Sequence, residues 1–324
     1  MNKLFTLLTL ISAFTMNAQI STNGTNNSGT YSSALGYQTT ASGNYSTALG
    51  YQTTASESYC TAMGYATTAS GSTSTSMGVN TTASGDGSTA MGNLTVAIGN
   101  NSTAMGVVTT ASGDGSTSMG LSTTANGNNS TAMGISTTAS GDNSTAMGKS
   151  TVASDYASLV IGQHNFSGSS VTNSATSFSA SNTAFVIGNG NSVNLSDAFK
   201  VLFNGDATIG NNLTVVGDVE IQSDERLKSN IESLGSTLNK LLQLDGKSYE
   251  LRGKQKIGVL AQDIQEVFPE LVSKDEREIL AVNYQGLIPV LINAMKEQQG
   301  KIEKYQNEVI ELKAMVQKLM KRDK

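Results

Sequence analysis

The stretch Val79-Asn-Thr-Thr-Ala-Ser-Gly-Asp-Gly-Ser-Thr-Ala-Met-Gly92 decides how the first half of this chain folds. It is one unit of a 14-residue repeat, with glycines at Gly36, Gly50, Gly64, Gly78, Gly92, Gly106, Gly120, Gly134, Gly148 and Gly162. A second series lies midway, at Gly43, Gly71, Gly85, Gly99, Gly113, Gly127 and Gly141. Each unit therefore splits into two halves, each with one short strand and one Gly-marked turn. Ser88-Thr-Ala-Met-Gly92 is too short for a helix, and Gly and Thr disfavour one. As a strand it puts Thr89 and Met91 on one face and Ser88, Ala90 and Gly92 on the other. A lone coil of this size buries almost nothing, whereas stacked coils build a narrow continuous core. At about 4.7–4.9 Å per strand, the stack is a rod on the order of 45 Å long. Met63, Met77, Met91, Met105, Met119, Met133 and Met147 hold one position of the repeat. A disordered Ser/Gly linker has no need of such a register.

Outside the repeat the composition changes. Ser223 to Lys324 holds 17 Lys/Arg and 16 Asp/Glu, so the net charge of −5 is carried almost wholly by the residues before it. The repeat has no basic stripe, which argues against nucleic-acid binding through phosphate neutralisation. Trp is absent and aromatics are few. At the start, Lys3 precedes the apolar run Leu4 to Met16, too short to span a bilayer, and Ala18 precedes Gln19. This reads as a secretory signal over residues 1–18, cleaved after Ala18. No other stretch is long and apolar enough for a transmembrane helix, so none is expected after signal removal. The single cysteine, Cys60, cannot form an intrachain disulfide and is expected in a small buried site. No cofactor or metal is expected. The Gly-Gly-x-Gly-x-Asp nonapeptide of calcium-binding repeats is missing.

The Ser-x-Ala-Met/Leu-Gly and Ala-Ser-Gly units resemble the head repeats of trimeric autotransporter adhesins, the YadA-like head, over roughly residues 31–165. The resemblance implies a left-handed parallel β-roll with three chains side by side, and adhesion to host or environmental surfaces. Those adhesins end in a membrane β-barrel anchor, whereas this sequence ends in a charged helical pattern, so the resemblance is to the head alone.

Residues 166–222 lose the strict period. Phe185-Val-Ile-Gly188, Phe199-Lys-Val-Leu-Phe203, Ala207-Thr-Ile-Gly210, Leu213-Thr-Val-Val-Gly217 and Val219-Glu-Ile221 read as short strands with turns between them. The run resembles the β-stem that precedes chaperone domains in phage tail fibres.

From Ser223 the pattern turns helical. Ser223-Asp-Glu-Arg-Leu-Lys-Ser-Asn-Ile231 has an N-cap residue followed by acidic residues, with Leu227, Ile231 and Leu234 at helical spacing. A strand pair is expected at Lys247–Leu251 and Gln255–Leu260, then a helix at Ala261–Phe268 stopped by Pro269. The order Ser-Asp-x-Arg-Leu-Lys, Ile-Gly-Val-Leu-Ala-Gln-Asp, Phe-Pro-Glu-Leu-Val and Val-Asn-Tyr resembles the endosialidase-type intramolecular chaperone, a serine-peptidase family, over about residues 222–300. The resemblance implies that the domain trimerises the fibre and then cuts itself off with a Ser–Lys dyad. Ser223 matches the nucleophile and Lys228 the base, and the implied scissile bond is Gln222–Ser223. A serine hydroxyl needs a base. The sole histidine, His164, lies far upstream, and a desolvated lysine can take the role. On an ideal helix the two residues are about 140° apart. They meet only if Ser223 precedes the helix or if they pair across chains. Asp224 and Arg226 also match family positions and are assigned structural roles.

Ile288, Met295, Ile302, Val309 and Val316 fall at heptad a, and Leu291, Gln298, Tyr305, Leu312 and Leu319 at d. This supports a parallel coiled coil. The expected fold class is a mainly β N-terminal solenoid (left-handed parallel β-roll, trimeric) with a β-stem, then an α+β chaperone domain ending in a trimeric coiled coil. The expected divisions are a signal peptide (1–18), a short linker (19–30), the β-roll head (31–165), a β-rich neck (166–222), the chaperone peptidase domain (223–286) and the coiled coil (287–324). The expected function is a secreted or cell-surface homotrimeric fibre with a host, matrix or glycan surface ligand, matured by one self-cleavage. That single-turnover autoproteolysis is the only enzymatic activity expected. The alternative is a prophage tail fibre or tail spike binding or cutting surface glycans. The repeat's scattered acids, Glu57, Asp86, Asp114, Asp142 and Asp155, offer little for glycan cutting. Asp86, Asp114 and Asp142 fall on alternate coils and read as a turn preference. A third reading, ice or mineral binding by Thr rows such as Thr81-Thr82 and Thr109-Thr110, competes with the ordinary use of Thr in strands.

Overall fold

The computed structural model describes residues 23–275 and 278–322. The signal peptide expected over residues 1–18 lies outside the described residues. The chain divides into two units, residues 1–217 and 218–324.

The first unit is a β-solenoid of about ten turns. Each coil gives a five-residue strand to one sheet and a two-residue strand to a second, as in Thr89–Asn93 and Val96–Ala97. Successive coils pair in parallel, in register: Thr89 with Thr103, Ala90 with Ala104, Met91 with Met105. Ser88, Ala90, Thr95 and Ala97 are fully buried, while Thr89 and Met91 lie half-exposed on the outer face. The two-residue alternation read from the sequence thus sets which side chains enter the core. That core is built of Ala, Ser and Thr, so its strength comes from backbone ladders and close approach rather than from large apolar side chains. Most inward Thr hydroxyls, Thr95 and Thr109 among them, have no hydrogen-bond partner. Where Ser replaces the inward Ala, the hydroxyls pair, Ser76 with Thr81 at 2.7 Å and Ser118 with Thr123 at 2.8 Å. Cys60 is buried in an inward Ser position, its Sγ 2.8 Å from the Glu57 carbonyl oxygen, and burial pushes its thiol pKa up.

One corner of the rod carries a side-chain ladder. The Asp86 Oδ1 accepts the Ser72 N–H at 2.9 Å, Asn100 Oδ1 that of Asp86 at 3.1 Å and Asp114 Oδ1 that of Asn100 at 2.8 Å. Asn128 Oδ1 accepts from Asp114 at 3.1 Å and Asp142 Oδ1 from Asn128 at 2.8 Å. Either side chain supplies the acceptor oxygen, but Asp and Asn alternate. Carboxylates therefore stand about two strand spacings apart, roughly 9.5 Å, instead of one. Asn100→Asp places three carboxylates in consecutive coils. We expect a loss of roughly 0.5–1 kcal/mol in thermal unfolding, recovered in high salt, because like charges directly opposite repel and salt screens them. A loss that persists in high salt would mean that charge does not explain the alternation.

Two stacked tyrosine ladders flank the first coils. Tyr31, Tyr45 and Tyr59 have ring centroids 5.2 and 5.0 Å apart, and Tyr37, Tyr51 and Tyr65 are spaced at 5.0 Å. The repeat ends where the period breaks: Leu159 pairs with Phe185 in the next strand, Thr183–Asn189. Asp155 stands where Gly141 stands one coil earlier, and it is fully buried. Its two carboxylate oxygens accept the backbone N–H groups of Thr172 at 2.6 Å and Thr183 at 2.7 Å. They bind the inserted segment onto the last coil. Antiparallel strands Asp197–Leu202 and Ala207–Ile209 complete the 13-stranded sheet.

The strands expected at Leu213–Gly217 and Val219–Ile221 do not form. Leu213, Val215, Val216, Val219 and Ile221 are exposed, because no neighbouring segment among the described residues supplies a ladder.

The second unit packs around Ile264, Phe268 and Val290, with Leu241, Leu244, Leu271 and Val282 against them. A hairpin joins Lys247–Leu251 to Lys254–Gly258, the helix Ala261–Val267 ends at Pro269, and Val272–Lys274 pairs with Leu280–Val282. A 36-residue helix, Leu287–Arg322, closes the described chain. The helix expected to start at Ser223 is a correction. Only Glu225–Leu227 forms one 3₁₀ turn, and the next helix is Leu238–Leu241. Asn230 and Gly235 take positive φ (+53° and +65°), which interrupts the apparent helical spacing of Leu227, Ile231 and Leu234. No helix among the described residues is long and apolar enough to cross a membrane.

Candidate functional site

The 3₁₀ turn at the start of the second unit brings together the residues singled out from the sequence. Asp224, not Ser223, is its N-cap: Asp224 Oδ1 accepts the Arg226 N–H at 2.9 Å. The turn closes with Leu227 N–H donating to the Asp224 carbonyl at 3.1 Å and Lys228 N–H to the Glu225 carbonyl at 3.0 Å. Ser223 lies just before the turn and Lys228 just after it, in extended backbone with φ −119° and ψ 150°. Lys228 therefore folds back, its Nζ 2.7 Å from Ser223 Oγ and 3.0 Å from the Ser223 carbonyl oxygen. Ser223 ahead of the turn thus brings the two side chains together within one chain.

Ser223, Lys228 and Gln222 are all exposed. Leu227 and Ile231, the apolar residues that flank the lysine in sequence, are 69% and 62% exposed. The Arg226 guanidinium grips the Asp224 carboxylate through Nε at 3.0 and 3.2 Å and through Nη2 at 2.7 Å. Those bonds, with the Arg226 backbone N–H second, hold the Asp224 carboxyl below its ordinary pKa and raise that of Arg226. The chemistry available is that of a hydroxyl within reach of an amine: with the amine neutral, Nζ can accept the Oγ proton as Oγ attacks a carbonyl carbon. Among the described residues no cluster of three or more His, Cys, Asp or Glu could hold a metal ion.

The sequence reading gave no role to Glu297. From the long helix its carboxylate accepts Ser236 Oγ–H at 2.8 Å and the backbone N–H groups of Thr237 at 2.5 Å and Leu238 at 3.2 Å. It thus caps the helix Leu238–Leu241 from outside. The Thr237 N–H, followed by the Ser236 hydroxyl, lowers its pKa. Local sequence carries no signal for this cap, since the two ends are some 60 residues apart.

Known proteins match the two regions separately. Seven windows between residues 28 and 164, six of them overlapping a neighbour, match the YadA head domain repeat, and residues 223–273 match the chaperone of endosialidase. The chain is 33% identical over 104 residues to Long tail fiber protein Gp37 of Enterobacteria phage K3, and equally to that of Enterobacteria phage T2, covering 29% of this chain and 8% of each relative. To Long tail fiber protein Gp37 of Escherichia phage AR1 it is 32% identical over 96 residues, covering 26% of this chain and 9% of that protein. It thus spans less than a tenth of the length of these relatives. The chaperone match begins at Ser223, the residue that Lys228 touches. The chain therefore joins a β-solenoid similar to the YadA head repeat to a C-terminal region similar to the chaperone of endosialidase.

Proposed function

We propose that this chain is the subunit of an extracellular or phage-surface homotrimeric fibre. Its solenoid is the surface-contacting rod. Its C-terminal region drives assembly and then detaches by cutting the Gln222–Ser223 bond. The observation that carries the proposal is the 2.7 Å approach of Lys228 Nζ to Ser223 Oγ at the first residue of the matched chaperone segment. Neutral Lys228 takes the Ser223 Oγ proton as Oγ attacks the Gln222 carbonyl carbon. The C–N bond breaks, the Ser223 nitrogen gains that proton and leaves as a free α-amine, and an ester links Gln222 to Oγ. Water then hydrolyses the ester, returning the hydroxyl and leaving a Gln222 carboxylate. Burial of the exposed apolar residues Leu227, Ile231 and Leu234 against other copies is the natural source of lysine desolvation, so cleavage follows assembly.

The test is intact mass and denaturing gel analysis of the purified chain beside Ser223→Ala and Lys228→Ala. The expected result is a wild-type break between Gln222 and Ser223, with both variants intact. An uncut wild-type chain would sink the peptidase reading and leave the domain as a permanent assembly cap. A second reading, a phage tail fibre that binds surface glycans, is favoured by the Gp37 similarity. The same mass data discriminate: a mature chain starting at Gln19 supports export, and one retaining residues 1–18 supports the tail fibre.

A further inference from the structure

We propose that Asp224 is the positioning residue that holds Ser223 and Lys228 in register for cleavage; this rests on the reading of that pair as self-cleaving. Five residues of extended chain would carry Lys228 up to about 17 Å from Ser223. A regular helix would turn the two side chains to different faces. The observed pairing needs a single tight turn that starts just after Ser223 and stops just before Lys228. Asp224 supplies both limits. Its Oδ1 caps the Arg226 N–H at 2.9 Å, which fixes the start, and its backbone carbonyl accepts the Leu227 N–H at 3.1 Å. Its carboxylate holds the Arg226 Nη2 at 2.7 Å, which braces the middle of the turn. Apolar packing within the chain contributes nothing here, because residues 221–230 are all exposed. Besides its two backbone bonds, the turn is therefore held by polar side-chain bonds that converge on one carboxylate. Asp224 touches neither the hydroxyl nor the amine, so it acts through geometry.

The experiment follows cleavage of the full-length assembled chain over time, by mass, for wild type, Asp224→Ala and Asp224→Asn. Misplacement of a reacting group by about 1 Å costs on the order of 100-fold. Asp224→Ala is expected to slow cleavage about 10- to 100-fold, with assembly mass and helix content unchanged. Asp224→Asn retains an amide oxygen for the Arg226 N–H and is expected to recover most of the rate, a rescue that a merely stabilising ion pair would not give. Wild-type speed in Asp224→Ala overturns the proposal, and so does an Asn variant as slow as the Ala variant. If the Ala variant fails to assemble, Asp224→Glu replaces it. Glu keeps the charge but carries the oxygen past the Arg226 N–H, and cleavage at wild-type speed would again overturn the proposal. An uncut wild-type chain overturns the cleavage reading itself, and this one with it.

Discussion

Gly106→Ala should destabilise the solenoid by roughly 2–6 kcal/mol, the sum of strained backbone and overpacking. Gly106 has φ +123°, a conformation that L side chains rarely adopt, and a Cβ built on it would lie 2.1 Å from the Gly120 carbonyl oxygen in the next coil. The neighbouring atoms are backbone, so no side chain can swing away to make room. The two coils would have to separate, and the Met105–Met119 and Val107–Leu121 ladder positions beside the glycine would be lost with them. Thermal and chemical unfolding followed by β-sheet circular dichroism would measure the effect. Gly217→Ala is the control: nothing lies within 4 Å of the Cβ it would add. A Gly106→Ala midpoint equal to that of the control would mean that the coils are not held at the observed spacing.

The second large effect is expected on assembly. The long helix packs Val290 and Ala294 inward, yet its heptad seam is open. Ile302, Tyr305, Val309, Leu312, Val316 and Leu319 are 42–61% exposed. A 36-residue helix with a bare heptad stripe has the pattern of a coiled-coil strand. Ile302→Asp with Val309→Asp puts a carboxylate into two seam layers of every copy. Each layer then forfeits about 1.5–3 kcal/mol of apolar burial per copy and must bury charge as well. Light scattering of the doubly substituted chain should give the mass of one copy, whereas Asn307→Asp, on the outer f position, should leave the assembly mass unchanged. An unaltered mass in the double variant would remove the coiled coil as an assembly element.

These effects differ in how far the sequence announced them. The solenoid was legible because its information is periodic: one Gly series and one Met row fix the coil length, and strand alternation then sends Ser88 and Ala90 inward and Met91 outward. The hairpin at Lys247–Gly258 and the helix before Pro269 were legible for local reasons of turn and breaker chemistry. The segment after Ser223 misled because Leu227, Ile231 and Leu234 mimic a helix stripe while serving no core of their own chain. Their spacing is that of an exposed apolar surface, and periodicity alone does not tell a buried stripe from an unpartnered one. The strands expected after Leu213 fail for the same reason, since a strand is a property of a pair. Ser223 and Lys228 were nameable from residue order. The Asp224 turn that joins them and the Glu297 cap depend on through-space register, whereas the tyrosine ladders repeat the 14-residue coil length.

The alternation of Asp and Asn along one corner of the rod bears on how such a gene can change length. Excision of the single coil that carries Asn100 would bring Asp86 directly under Asp114, whereas removal of two coils, 28 residues, leaves every carboxylate with an amide neighbour. Between Asp86 and Asp142, loss of one Asn-bearing coil is therefore the costly step, whereas loss of one Asp-bearing coil, or of an adjacent pair, brings no two carboxylates together.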